Sequence, residues 1–364
     1  MKKSSTPNER IKREYFIFLK EAKGRNEASI DGVAKALNRF ETYTRFRDFK
    51  SFHIEQARGF KVHLAAQVNV RTGTKLSAAT LHSTLGSLKA FFLWLADRPG
   101  YKSHIKYADA EYFNLSEKKA RIATAHREKR APTIEQIRHV LERMPAQTDI
   151  EKRDRALIAF TLLTGARDGA IASFKLKHID LADGKIEQDA REVKTKRSKT
   201  FTTYFFPVGD EVRSIVVDWV HFLRQDKLWS DDDPLFPATE VATGPEQHFA
   251  AIGLARKHWR TATTIRKVFR QAFTNAGLPY ANPHSFRTTL AQRAYALKLG
   301  PEEFKAWSQN IGHDSPLTTF SSYGEVAHHR QQEIMRELAS PRPPGNDNDE
   351  IVQQITLLAS RLRR

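Results

Sequence analysis

The sequence predicts a mainly α-helical protein with a small antiparallel β-sheet, built as two domains. Three observations lead there. Apolar residues recur at helical spacing through much of the chain. One stretch, residues 185–208, changes to a strand-like pattern around a basic turn. A charged, aperiodic segment that ends at Pro132 parts two helical regions.

The first region, residues 1–116, reads as helical. Ser29 and Asp31 offer helix-start chemistry ahead of Val33, Ala34, Ala36, Leu37 and Phe40. Ser77 is placed to cap a second helix, in which Leu81, Leu85, Leu88, Phe92 and Leu95 fall on one face and Phe91 widens the stripe. That helix is expected to stop before Pro99-Gly100. Residues 117–131, EKKARIATAHREKRA, carry many charges and no strong apolar period, so the domain boundary is set there as a linker. From Thr133, a candidate cap, a helix begins with Ile134, Ile137, Val140 and Leu141, with Glu135 near its positive end. The run RALIAFTLLTG suits a buried helix broken near Gly165. Residues 185–208 read as two strands around Lys196-Arg197-Ser198-Lys199, and further helices are expected up to about residue 330. The tail, 331–364, starts its last part with the linker-like PRPPGNDNDE. After it, Ile351, Ile355, Leu358 and Leu362 would share one face of a short helix.

Composition narrows the function. The chain has 364 residues and a formal charge of +18, and the charge is uneven. Residues 1–130 hold 27 Lys/Arg against 13 Asp/Glu, whereas residues 131–364 hold 33 against 29. A polyanion is the simplest partner for such a field, nucleic acid first among them; a generic basic surface or a membrane surface is the other reading of the charge alone. With no cysteine there are no disulfides, thiolate nucleophiles or cysteine-based zinc sites, which suits a reducing, cytoplasmic setting. No apolar run reaches the length of a bilayer span, and the basic N-terminus lacks the apolar stretch of a signal peptide, so no membrane role is expected.

The second region holds the polar groups that carry chemistry. Arg167 follows the run LLTGA. His284 and Arg287 lie about one helical turn apart in PHSFRTT. His313 and Tyr323 lie ten residues apart in NIGHDSPLTTFSSYG. Two arginines can direct donors at the nonbridging oxygens of a phosphate. Two histidines can move protons or donate hydrogen bonds near neutral pH. A tyrosine hydroxyl can attack phosphorus. Taken singly, each has an ordinary structural role: an ion pair, a satisfied core or cap histidine, a core aromatic.

Together and in this order, the motifs TGARDGAIASFKLKHID, PHSFRTTLAQ and NIGHDSPLTTFSSYG resemble those of the tyrosine recombinases, the phage-type integrases. The resemblance covers roughly residues 131–330 and assigns 132–330 to a catalytic domain. It assigns 1–116, more weakly, to a helical core-binding domain through LHSTLGSLKAFFLWL. It implies that Tyr323 is the nucleophile and becomes joined to a 3′ phosphate, freeing a 5′ hydroxyl. Arg167 and Arg287 would stabilise the phosphorane, His284 would assist proton transfer at the tyrosine, and His313 would hydrogen-bond the phosphate. A hairpin lysine would protonate the leaving oxygen. Lys194, Lys196 and Lys199 all lie near the turn, and Lys196, in TKRSK, matches best. Neither cofactor nor metal is implied, because arginines supply the positive charge. The implied assembly is a homotetramer on two double-stranded DNA sites; the tail helix would cover its own domain or a neighbouring protomer, or the tail would be disordered. One departure stands out. The family's acidic residue three positions after the first catalytic arginine is Ala170 here, and adjacent Asp168 points another way on a helix. The other readings are a catalytically silent DNA-binding protein of the same fold, and a topoisomerase with the same covalent chemistry.

Overall fold

The computed structural model describes residues 6–69, 72–125, 131–243, 249–297, 299–313, 319, 331–333 and 335–336. Tyr323 and the expected tail helix lie outside the described residues. The chain divides into two compact units, Met1–His126 and Arg127–Arg364.

The first unit is helical: α1 (Thr6–Ile17), α2 (Glu27–Tyr43), α3 (Ile54–Ala66), α4 (Ala78–Leu95), α5 (Tyr107–Ala110) and α6 (Glu117–Thr124). Ser77 caps α4, accepting from the Thr80 amide, and α4 ends before Pro99 as its apolar stripe requires. Leu85, Leu88, Phe91, Phe92 and Leu95 bury against Phe40, Phe49, Phe52 and Phe113. Helix α2 starts earlier than expected. Its cap is Asn26, whose side chain accepts from the Ser29 amide, so Ser29 and Asp31 lie inside the first turns. Part of the segment read as a linker is helical: α6 packs against α4, with none of its side chains buried. Deep in this unit Glu41 is fully buried, bonded to Asn8 at 3.1 Å and paired with Lys12 at 2.7 Å.

The second unit contains α7 (Ile134–Arg143), α8 (Asp149–Thr164), α9 (Asp168–Ile171), α10 (Asp210–His221), α11 (Thr263–Asn275), α12 (Pro283–Ala296) and α13 (Pro301–Ile311). Thr133 caps α7 in a reciprocal capping box with Gln136. Every residue of α8 from Ala156 to Thr164 is buried, which explains its nearly unbroken apolar run. Three short antiparallel strands, β1 (Ile179–Asp180), β2 (Lys185–Gln188) and β3 (Phe201–Tyr204), form a sheet in the order β1-β2-β3. The register pairs Lys185 with Tyr204 and Gln188 with Phe201.

Two sequence expectations change here. The strands of 185–208 are only four residues each, and residues 189–200 between them form a loop with a tight turn at Lys196–Ser198. Lys194 is therefore not in a strand. In addition, a second hairpin, β4 (Pro237–Thr243) with β5 (Phe249–His258), occupies a stretch expected to be helical.

Candidate active site

Two helix ends, each closed by a left-handed glycine, deliver two of the expected site residues. Helix α8 ends at Gly165 (φ 60°), and the chain turns through Ala166 to Arg167, which starts α9 in an extended conformation. Helix α13 ends at Gly312 (φ 79°). The amide of the next residue, His313, donates back to the Ser308 carbonyl at 3.1 Å, the long bond of a Schellman closure. Both glycines are also sterically required. A Cβ on Gly165 would stand 2.9 Å from Leu290 Cδ1, and one on Gly312 would stand 2.6 Å from two ring carbons of Phe201.

The structure brings Arg167, Lys196, Lys199 and His313 to the walls of one cleft of about 430 Å³, completed by Arg197, Phe201 and Gly312. No carboxylate lines it among the described residues. Lys194 is not part of the lining. Its amide donates to Ser173 Oγ at 2.9 Å, tying the middle of the 189–200 loop, which carries the lysines, to the residues after α9. The turn itself is held in an uncommon shape, with Arg197 and Ser198 both left-handed at φ 59° and 51°.

Arg287 lies on α12, does not line this cleft, and is only 4% exposed. Its Nη1 donates to the Gly165 carbonyl at 2.7 Å, two residues before Arg167. Its Nε and Nη2 are buried and have no hydrogen-bond partner among the described residues. Burial, and then the neighbouring Arg167 charge, push its pKa down to about 9. It is still a cation at neutral pH, and two of its donor nitrogens are unused. An anion is what such a group lacks. His284 lies on the first turn of α12, where Asn282 caps the helix. It is exposed and does not line the cleft.

His313 is held from behind. Thr319 Oγ1 donates to Ser308 Oγ at 2.7 Å and stands 2.7 Å from His313 Nδ1. With its hydrogen directed to Ser308, the threonine oxygen is placed to accept from Nδ1–H, which orients the ring.

Ala170 is 1% exposed in the core, so no carboxylate supports Arg167 from that position. Asp168 is engaged elsewhere, accepting from Arg266 Nε of α11 at 2.8 Å. Tyr204 is 57% exposed on β3. Residue types alone did not single out Phe201 and Gly312 as cleft-forming. Only the pairing of β3 with the end of α13 reveals them. Among the described residues no cluster of three or more His, Cys, Asp or Glu side chains is placed to hold a metal ion, and no helix is long and apolar enough to cross a membrane.

Comparison with known proteins agrees with this architecture. The profile of the Phage integrase family matches residues 130–330, more than half of the chain. Tyrosine recombinase XerC of Lactobacillus leichmannii is 23% identical over 251 residues, which cover 68% of this chain and 72% of the relative. XerC of Lactobacillus delbrueckii subsp. bulgaricus matches with the same identity and coverage. Among solved structures, a lambda integrase dimer bound to a COC′ core site superimposes with TM-score 0.59 at 13% identity, over 88% of this chain and 79% of that one. XerH bound to a palindromic difH substrate does so with TM-score 0.59 at 18% identity, over 89% and 84%. The chain belongs to the phage integrase family, the tyrosine recombinases.

Proposed function

We propose that the protein is a site-specific DNA recombinase that breaks and rejoins strands through a 3′-phosphotyrosine at Tyr323. The observation that carries the proposal is the cationic cleft, walled by Arg167, Lys196, Lys199 and His313, with the buried, under-bonded guanidinium of Arg287 close to Arg167. A phosphorane gains negative charge on its nonbridging oxygens, and fixed donors in a partly desolvated cleft favour that state over the ground state.

In the proposed reaction the Tyr323 oxygen attacks the scissile phosphorus as the P–O5′ bond breaks. His284 receives the tyrosine proton. A lysine, with Lys196 favoured and Lys199 the alternative in the same cleft, gives its proton to the leaving 5′ oxygen. Arg167 and Arg287 hold the nonbridging oxygens and His313 donates a further hydrogen bond. Nothing is hydrolysed, so the phosphotyrosine retains the bond energy, and attack by a 5′ hydroxyl reverses the step. The residues supply the cationic charge themselves, and no cofactor is assigned.

Double-stranded DNA is the proposed substrate. A homotetramer on two sites is the proposed assembly, since exchange between two duplexes breaks four strands and each copy offers one tyrosine. The related solved proteins include a lambda integrase tetramer bound to a Holliday junction, which supports this count. The test is covalent capture on a nicked suicide duplex bearing a site enriched from random DNA by the protein. Wild type is expected to form the adduct, and Tyr323→Phe to bind equally and form none. An adduct of wild-type yield in the variant overturns the assignment. Exchange between two sites, rather than relaxation of one supercoiled circle, separates a recombinase from a topoisomerase. Binding without any adduct would indicate a silent DNA-binding relative.

A further inference from the structure

The side chain of Asn310 joins the edge strand β3 to the end of α13. β3 lies at the edge of its sheet, and Tyr204 exposes main-chain groups there. The carboxamide of Asn310 satisfies both: Tyr204 N–H donates to Oδ1 at 2.7 Å, and Nδ2 donates to the Tyr204 carbonyl at 2.8 Å. A planar amide thus takes the place that a neighbouring strand's peptide would occupy. The contact continues on both sides. Gln188 Nε2 of β2 donates to Thr203 Oγ1 at 3.0 Å, and Thr203 Oγ1 donates to the Asn310 carbonyl at 3.0 Å. Gln188 and Thr203 are both buried. Two residues beyond Asn310, Gly312 lies against the Phe201 ring, and the next residue is His313.

We infer that Asn310 is a positioning residue for His313, locking the end of α13 to the hairpin that carries the lysine loop, so that both walls of the cleft move as one body. Asparagine is specifically suited. Leucine has similar bulk but neither donor nor acceptor, and aspartate cannot donate to the Tyr204 carbonyl. The left-handed turn at Gly312 fixes the direction of the chain after α13, but it does not fix where α13 ends relative to the sheet. The amide clamp does. A displacement of about 1 Å at a catalytic group can lower a rate roughly a hundredfold. The inference rests on the recombinase chemistry proposed above for its catalytic readout, and on hydrogen exchange and NMR for the clamp itself.

The experiment compares full-length wild type, Asn310→Leu, His313→Ala and the double variant. The catalytic readout is the single-turnover rate of adduct formation on the nicked suicide duplex. Asn310→Leu is expected to slow the step roughly ten- to a hundredfold without weakening DNA binding. In the His313→Ala background the same change is expected to slow it little further, because the two act as one unit. A wild-type rate for Asn310→Leu, or the same fold loss in both backgrounds, overturns the inference. The structural readout needs no turnover. In Asn310→Leu, at an unchanged melting temperature, the Tyr204 amide is expected to exchange faster with solvent and the His313 imidazole resonances to move. Unchanged exchange and unmoved resonances overturn the clamp. If wild type itself forms no adduct, the recombinase reading fails while these two measurements still decide the clamp.

Discussion

At the scale of single residues, Arg287 sets the character of the site. A buried cation with one backbone hydrogen bond and two unused donor nitrogens is costly to hold, and an apolar side chain of similar length would be tolerated better by the fold alone. Arg287→Met is therefore expected to abolish adduct formation while leaving the DNA-free protein as stable as wild type, or more stable by about 1–2 kcal/mol. Thermal melting checks this, with sulfate as a second probe: an anion seated against Arg287 should raise the melting temperature of wild type and not of the variant. A large loss of stability in Arg287→Met would mean that the arginine holds the fold together rather than serving the phosphate. That Arg167 and His313 would share one cleft was legible because their motifs are local and ordered, whereas His284 does not line it. What orients them was not. Ala170 left the place of the expected carboxylate empty, and the groups the structure puts around the site, the Gly165 carbonyl at Arg287 and Thr319 at His313, are contacts that no short motif encodes.

At the scale of elements, helix ends carry the design. The buried run of α8 and its glycine stop were readable because a fully apolar stretch broken by glycine has few alternatives. The hairpin β4–β5 was not, because PATEVAT and FAAIGLARKH are rich in alanine and poor in β-branched alternation, so pairing between the two strands overrides local preference. The lysine strands were overextended for a related reason: Thr and Phe suit strands, yet two left-handed residues turn the chain inside the segment. The helix-end argument gives a prediction. Gly312→Ala forces a left-handed alanine and drives its Cβ into the Phe201 ring, so it is expected to lose about 1–3 kcal/mol of stability and a larger share of activity, since His313 follows directly. Chemical denaturation beside adduct kinetics measures both, and a fully active variant would mean that the turn does not set His313. The lysine can be tested separately. Lys196→Ala should be slow on normal DNA and regain most of its rate on a 5′-thiol leaving group, which needs little protonation. Full activity of Lys196→Ala on normal DNA would turn attention to Lys199, which shares the cleft.

At the scale of the whole molecule, charge and core are distributed differently. Each unit has its own apolar core, one built around Phe40, Phe91, Phe92 and Phe113, the other around Phe160, Phe174, Phe236 and Phe269. The positive excess lies mainly in residues 1–130, while the cationic cleft belongs to the second unit. Under the proposed function, this would separate grip from chemistry: a diffuse field for the backbone of a polyanion in one unit, and a few directed donors for one phosphate in the other. The separation predicts how affinity should divide. Residues 131–364 expressed alone retain a complete core and should fold, yet bind duplex DNA much more weakly than the full chain. The full chain's affinity should also fall more steeply with salt, because each phosphate contact made by a Lys or Arg adds about 0.9 to the slope of log affinity against log salt. Titrations of both proteins on the same duplex at several salt concentrations measure the two slopes. Their difference estimates how many phosphate contacts the first unit and its basic connection make. Equal affinities and equal slopes would mean that the charge excess is ordinary surface, and that the second unit grips the DNA by itself.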